Sequence, residues 1–185
     1  MRIIAGRYGS RKLKTLDGLD TRPTSDKLRG AVFNILTQKI PGAMVLDLFA
    51  GCGAVGLEAV SRGARFAVLN DISQRSIDVI QDNIDALGAH DETGVMGEDA
   101  FDAVGILADS GMAFDIIYLD PPYDSEFYEQ IIRRIRECGI LALGGVIVCE
   151  HRKGSSFELP FDYRIYDRRI YGKSAVSFLI EEIVA

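Results

Sequence analysis

A chain of 185 residues, 48% hydrophobic and 26% charged, has the size and balance of one globular domain with a substantial core. It holds no run of roughly 20 apolar residues for a membrane span, and its opening MRIIAGRYGS lacks the apolar stretch of a secretory signal. Three scattered cysteines (Cys52, Cys138, Cys149) without a CxxC pair, and only two histidines (His90, His151), point to reduced thiols in a cytoplasm, with no disulfide frame and no metal centre. The net charge of −6 conceals an asymmetry: residues 1–29 hold eight basic side chains (Arg2, Arg7, Arg11, Lys12, Lys14, Arg22, Lys27, Arg29) against three acids, so the remainder is strongly acidic. This reads as a basic arm on an acidic body, suited to a polyanionic partner; a solvated tail with incidental charge is the plainer alternative.

The first 22 residues alternate apolar and basic positions with interspersed glycines, which predicts a short β-ribbon or extended arm. Pro23-Thr24-Ser25 offers a helix start with Thr24 or Ser25 as N-cap. Leu28, Val32, Ile35, Leu36 and Ile40 then predict an amphipathic helix over 25–39 that ends at Pro41-Gly42. From residue 43 strands and helices alternate: strand Met44–Phe49, helix 53–63, strand Phe66–Leu69, helix 73–87 with Gly88 as its stop, strand Thr93–Met96, helix 99–110, strand Phe114–Leu119, helix 125–138 and strand Gly145–Glu150. The segments 163–170 and 175–183 read as an antiparallel pair turning at Gly172-Lys173. The whole is an α/β domain, a mostly parallel sheet with helices on both faces. It divides into an arm (1–24) and a core (25–185).

Gly51-Cys52-Gly53-Ala54-Val55-Gly56 satisfies G-x-G-x-x-G between a strand and a helix, and Asp71 follows at the end of the next strand, where a carboxylate accepts ribose hydroxyls. This fits any adenosine-type cofactor. Asp47, just ahead of the loop, repels a pyrophosphate but suits an ammonium, which favours S-adenosylmethionine; a carboxylate capping nearby backbone N–H groups is the other reading. Asp99, in Gly97-Glu98-Asp99-Ala100, is an acceptor for an adenine amino group or a helix N-cap, and both roles are compatible. The candidate cofactor set is Asp47, Phe49, Gly51, Gly53, Asp71, Ile72, Asp99, Ala100 and Asp120.

Asp120-Pro121-Pro122-Tyr123 ends an apolar strand at the predicted ligand edge of the sheet. The prolines stiffen the chain, so the Asp120 carboxylate and the Pro121 carbonyl become two acceptors aimed at one point, with Tyr123 as a stacking face. Such a pair grips the two hydrogens of an exocyclic amine and turns its lone pair toward a methyl donor. The expected reaction is therefore amino methylation of a base.

With these residues the chain resembles bacterial small-subunit ribosomal RNA guanine-N2 methyltransferases of the RsmD type. The likeness runs through MRIIAG and its basic segment, Arg22-Pro23-Thr24, Arg29 with AVFNIL at 31–36, VLDLFAGCGAVGLEAVSRGA at 45–64, Asn83 with Leu87-Gly88, Gly97 to Ala100, DPPY, and Tyr171-Gly172-Lys173. Gly30 stands where that family usually has glutamate, and Cys52 where it has serine. The resemblance implies a Rossmann-like class I methyltransferase fold of seven strands, the last antiparallel. It also implies N2 methylation of one guanine in 16S ribosomal RNA, on assembled or assembling small subunits, by a monomer needing no metal or membrane. Arg2, Arg7, Arg11, Lys12, Arg22 and Thr24 are the expected RNA contacts. Three other readings stand beside it: a DNA adenine amino-methyltransferase, an NAD-dependent oxidoreductase, and a ribosome-assembly binding protein without turnover. The first leaves little room for target recognition and the second leaves the tetrad unexplained.

Overall fold

Val45 and Leu46 are neighbours in one strand and both are buried, yet they belong to opposite cores. That is the consequence of a strand covered by helices on each face, where successive side chains point to opposite sides. The computed structural model describes residues 1–16, 26–122, 125–160 and 162–182. Its elements are α1 (Asp26–Ile35), β1 (Met44–Asp47), α2 (Ala54–Ser61), β2 (Phe66–Asn70), α3 (Gln74–Leu87), β3 (Thr93–Met96), α4 (Ala100–Asp109), β4 (Phe114–Leu119), α5 (Ser125–Cys138), β5 (Leu141–Arg152), β6 (Tyr163–Tyr171) and β7 (Ser174–Glu181). The sheet order is β3-β2-β1-β4-β5-β7-β6; β1 to β5 pair in parallel and β7 runs antiparallel between β5 and β6. One core gathers α1, α2 and α3 through residues such as Phe33, Leu57 and Ile80, and the other gathers α4 and α5 through Val104 and Ile131. No helix among the described residues is long and apolar enough to cross a membrane.

The expected seven-stranded sheet, covered on both faces with its last strand reversed, is present. Three local differences have physical causes. α1 stops at Ile35 rather than 39, because the chain tightens into i→i+3 bonds (Lys39 N–H to Leu36 O, 2.8 Å) before the break at Pro41. β5 begins at Leu141 rather than Gly145, and its register with β4 slips between Phe114↔Leu141 and Ile116↔Val146, so extra residues around Gly144-Gly145 are accommodated as a bulge. A single 3-10 turn at His90–Glu92, absent from the sequence reading, leads into β3. The proposed cap at Thr24 or Ser25, with Arg22 and Pro23, lies outside the described residues.

The amino-terminal segment is a ribbon, as its alternation predicts: Arg2 bridges Lys12, and Ile3 N–H donates to Arg11 O (2.9 Å). It is not an extended arm. Ile3 and Leu13 are buried in the first core, and all eight residues of α2 are buried because the ribbon and α1 cover its outer side. The joint is polar. Glu58 of α2, fully buried, accepts the N–H groups of Ile4 (2.7 Å) and Ala5 (3.1 Å), pairs with Arg62 (2.6 Å) and lies 3.7 Å from the buried Arg29. Arg29 in turn donates to the Arg2 carbonyl and pairs with Asp26 (3.0 Å). Gly6, at φ 81°, lets the ribbon touch α2; a Cβ there would sit 1.9 Å from the Ser61 carbonyl oxygen.

Replacing Glu58 by Ala removes the fully buried acid beside Arg29, leaving it, among the described residues, Asp26 alone as ion partner, and frees two amides, so the expected loss is about 3 kcal/mol in urea unfolding. Hydrogen exchange at Ile4 and Ala5 should accelerate in the same variant; unchanged exchange would mean the ribbon is held by its apolar contacts alone.

Candidate active site

The chain order of the strands reverses between β1 and β4, and the carboxyl ends of strands at such a switch point open a crevice. A cavity of about 1810 Å³ occupies it. Asp47, Phe49, Gly51, Asp71, Ile72, Asp99, Ala100, Asp120, Pro121 and Pro122 all line this one space. Gly53 does not. It sits beneath, at φ 80°, as the residue on which α2 starts, and a Cβ there would meet Leu69 Cδ2 at 2.9 Å. Gly56 has the same constraint against Leu69, so the first and last parts of the motif divide between an open turn and close helix–strand packing.

The two carboxylates flanking the loop are already engaged with it. Asp71 accepts Gly51 N–H (2.8 Å) on one oxygen and Ser73 N–H (2.9 Å) on the other, pinning the turn to the end of β2. Asp47 accepts Gly56 N–H (3.0 Å), so the capping reading of this residue holds in the structure, while the residue also lines the cavity. Burial pushes the Asp47 carboxyl up to about 7; the Gly56 N–H opposes this and the nearby Asp71 charge adds to it. Asp99 caps α4, accepting Phe101 N–H (2.9 Å), beside Ala100. Ile72 is 70% exposed, a bare apolar face next to Asp71.

Asp120 and Pro121-Pro122 follow β4 directly, with Pro121 buried and Pro122 exposed. Tyr123 lies outside the described residues, as do Arg22 and Thr24. Phe127 of α5 makes edge contacts with Phe49 (5.6 Å) and Phe101 (5.5 Å), forming an aromatic wall. Of the expected RNA contacts, Arg2, Arg7, Arg11 and Lys12 are exposed but do not line the cavity. Arg7 pairs with Glu92 (2.6 Å), Arg11 donates to Ala86 O (2.6 Å), and Arg2 lies 3.9 Å from Asp26.

Three site residues escaped the sequence reading as functional positions. Asn70, buried at the end of β2, donates to Leu48 O (3.2 Å) and Glu98 O (3.1 Å) and accepts Glu98 N–H (3.2 Å), tying three strand ends together. Asn83 of α3 donates to Cys52 O (2.9 Å) and Lys14 O (3.1 Å) and accepts Lys14 N–H (2.8 Å), joining ribbon to loop. Since Cys52 contributes its carbonyl here, a serine would serve as well. Glu150, at the end of β5, receives Tyr118 Oη–H (3.0 Å) on its carboxylate and Tyr128 Oη–H on its carbonyl, and lines the same cavity. An acidic residue at a strand's carboxyl end was the signal available for it.

This strand order, with the last strand reversed and the glycine loop and the Asp-Pro-Pro segment meeting at the switch point, defines a Rossmann-like class I methyltransferase fold. The family described as Conserved hypothetical protein 95 matches residues 1–180, and the chain belongs to it. Its relatives include Ribosomal RNA small subunit methyltransferase D of Escherichia coli (strain K12), 32% identical over 176 residues that cover 95% of this chain and 87% of that one. YlbH of Bacillus subtilis (strain 168) is 36% identical over 160 residues, 86% of each chain. Among solved structures, yhhF from Escherichia coli superposes with a TM-score of 0.87 at 29% identity, covering 99% of this chain and 98% of that one.

Asp47 makes stability depend on pH in a direction opposite to that of a salt-bridged acid. Between its ordinary value of 3.8 and the folded value near 7, the folded state keeps a proton that the unfolded state has released. Stability from this group therefore falls as pH rises through that window and stays low above it, at a cost of up to about 4 kcal/mol. Asp47→Asn should melt higher than wild type by roughly 10 °C at pH 8, with the gap closing toward pH 5; a pH-independent gap would contradict the assignment.

Proposed function

We propose that this protein is an S-adenosylmethionine-dependent methyltransferase acting in the cytoplasm on the exocyclic N2 amino group of a guanine in 16S ribosomal RNA, within the small ribosomal subunit. One observation carries the reading: Asp120-Pro121-Pro122 shares a cavity with Asp47, the glycine loop and Asp71. The donor set fits the cofactor. Asp47 faces the amino-acid ammonium, Asp71 the ribose hydroxyls, and Ile72 the adenine face, with Asp99 and Ala100 at its edge; Phe49, Gly51 and Gly53 shape the floor. Bound S-adenosylmethionine supplies a sulfonium methyl group. The relatives named for small-subunit ribosomal RNA methylation support the substrate.

The chain's own contribution is positional. The Asp120 carboxylate and the Pro121 carbonyl accept the two amino hydrogens, which favours a pyramidal nitrogen with its lone pair facing the methyl carbon. As the nitrogen–carbon bond forms and the carbon–sulfur bond breaks, its electron pair leaving on sulfur, positive charge grows on nitrogen; the same acceptors stabilise it, and the surplus N–H proton departs along the bond to the Asp120 carboxylate and on to water. Pro122 stiffens the bend that follows, and Tyr123 provides a face for the base. A base within a helix is flipped out to reach this point. Arg2, Arg7, Arg11 and Lys12 of the ribbon, with Arg22 and Thr24 beyond it, are assigned to the RNA, and residues 1–185 act as one domain.

Asp120→Ala should lower methyl transfer by about 10²–10³-fold or more while isothermal titration still shows S-adenosylhomocysteine binding. Retained turnover would overturn the mechanism. Binding of NAD in place of S-adenosylhomocysteine, or transfer to duplex DNA and not to small subunits, would overturn the assignment.

A further inference from the structure

The cavity is lined by seven carboxyl side chains and, among the described residues, by three Lys or Arg side chains: Arg152, Lys153 and Lys173. These three are not scattered. Arg152 ends β5, Lys153 follows it, and Lys173 sits in the β6–β7 turn. Backbone bonds hold the turns together: Lys153 N–H donates to Lys173 O (2.9 Å) and Ser155 N–H to Arg152 O (3.1 Å). Arg168 braces the outside by donating to Ser155 O (2.9 Å). All three cations are exposed, and among the described residues none is in a salt bridge, although the chain carries a net charge of −6 and pairs Arg7, Lys14 and Arg136 with acids elsewhere.

Placing like charges side by side costs energy unless an anion joins them. The cofactor is not that anion: S-adenosylmethionine carries no phosphate, and its one carboxylate shares a carbon with the ammonium assigned to Asp47, at β1 rather than β5. The geometry selects another occupant. Across the sheet, Asp71 and Asp47 stand at β2 and β1, Asp120 at β4, and the cations at β5 and the β6–β7 turn. One strand beyond Asp120 is a step of about 5 Å and two strands about 10 Å, the scale of one nucleotide.

We propose that the turns at 152–155 and 171–174 form a phosphate-binding rim, where Arg152, Lys153 and Lys173 grip the RNA backbone flanking the target base and swing that base over Asp120. This rests on the methyltransferase reading above and deepens it. It gives the RNA strand a path over the β5–β7 side of the cavity, away from the carboxylates of the cofactor half. The ribbon cations Arg2 and Arg7, each facing an acid of the body, then act with Arg11 and Lys12 as outlying contacts.

The test is methyl transfer from labelled S-adenosylmethionine to two probes: a 16S ribosomal RNA transcript, and small ribosomal subunits from a strain lacking this enzyme. In the R152Q/K153Q/K173Q variant the KM for RNA should rise about tenfold or more, and the slope of log affinity against log salt should shrink by about 2. The loss should fall on KM rather than kcat, with the S-adenosylhomocysteine dissociation constant unmoved as a measure of the folded site. Charge-conserving K153R/K173R should keep the wild-type salt slope. An unchanged KM and slope in the triple variant, while wild type methylates RNA, would overturn the rim; so would a change seen only when Arg7, Arg11 and Lys12 are neutralised. A wild-type enzyme that binds S-adenosylhomocysteine yet methylates neither RNA would overturn the functional reading itself, and the rim with it.

Discussion

Much of the molecule's amino-terminal half is organised around one buried carboxylate. Glu58, itself without exposure to solvent, gathers two backbone amides of the ribbon, Arg62 just past the end of its own helix, and the equally buried Arg29 of α1. An ion pair of this kind gains little over an apolar replacement, but it is costly to break and strict about geometry. Two Arg29 nitrogens, Nε and Nη1, have no hydrogen-bond partner, so the node is under-satisfied and depends on Glu58 staying in place. Because α2 starts on Gly53, the position of Glu58 is also the position of the glycine loop. Asn83 closes the circuit by bonding both Cys52 and Lys14. Ribbon and loop are parts of one packed unit.

The periodic features of the sequence were legible because burial on two faces leaves a plain mark. Apolar runs such as Phe114–Leu119 and the stripe Ile80, Ile84, Leu87 predict elements that the structure contains. The glycine loop and Asp71 were legible for a different reason: their spacing is dictated by a turn and a strand end. What the sequence did not disclose depends on contacts between distant segments. Nothing local in MRIIAGRYGS says that Ile3 is in the core or that Gly6 rests on Ser61, fifty-five residues away. The same blindness made Arg7 and Arg11 look like free cations, when Glu92 and the Ala86 carbonyl take them. Asn70 was passed over because a single amide closing a strand carries no pattern, and Glu150 because, unlike Asp71 and Asp120, its strand end has no motif beside it.

Asp47 shows why local stability and function pull apart here. Its Gly56 bond fixes the start of α2, yet burial and Asp71 make its charge unwelcome. A neutral side chain would suit the empty fold better. A buried carboxylate held in a poor electrostatic environment has most to gain from a nearby cation. Asp71 is arranged differently: two N–H donors, from Gly51 and Ser73, satisfy its oxygens, and those bonds hold the loop to the end of β2.

The cavity therefore has a charge gradient built along the sheet. At β1 and β2 carboxylates dominate, a setting that repels phosphates and accepts hydroxyl and ammonium groups. At β5 and the β6–β7 turn the only lining cations among the described residues stand together. β4 lies between, and it is there that Asp120 and Pro121 present their acceptors. The antiparallel β7 matters to this arrangement, since reversing its direction brings the Gly172-Lys173 turn to the same edge of the sheet as the ends of the parallel strands. Had β7 run parallel, its first residues would lie at the far edge and Lys173 would be remote from the cavity. The one strand that departs from the parallel pattern adds Lys173 to the Arg152 and Lys153 that β5 brings to a site otherwise walled by acids.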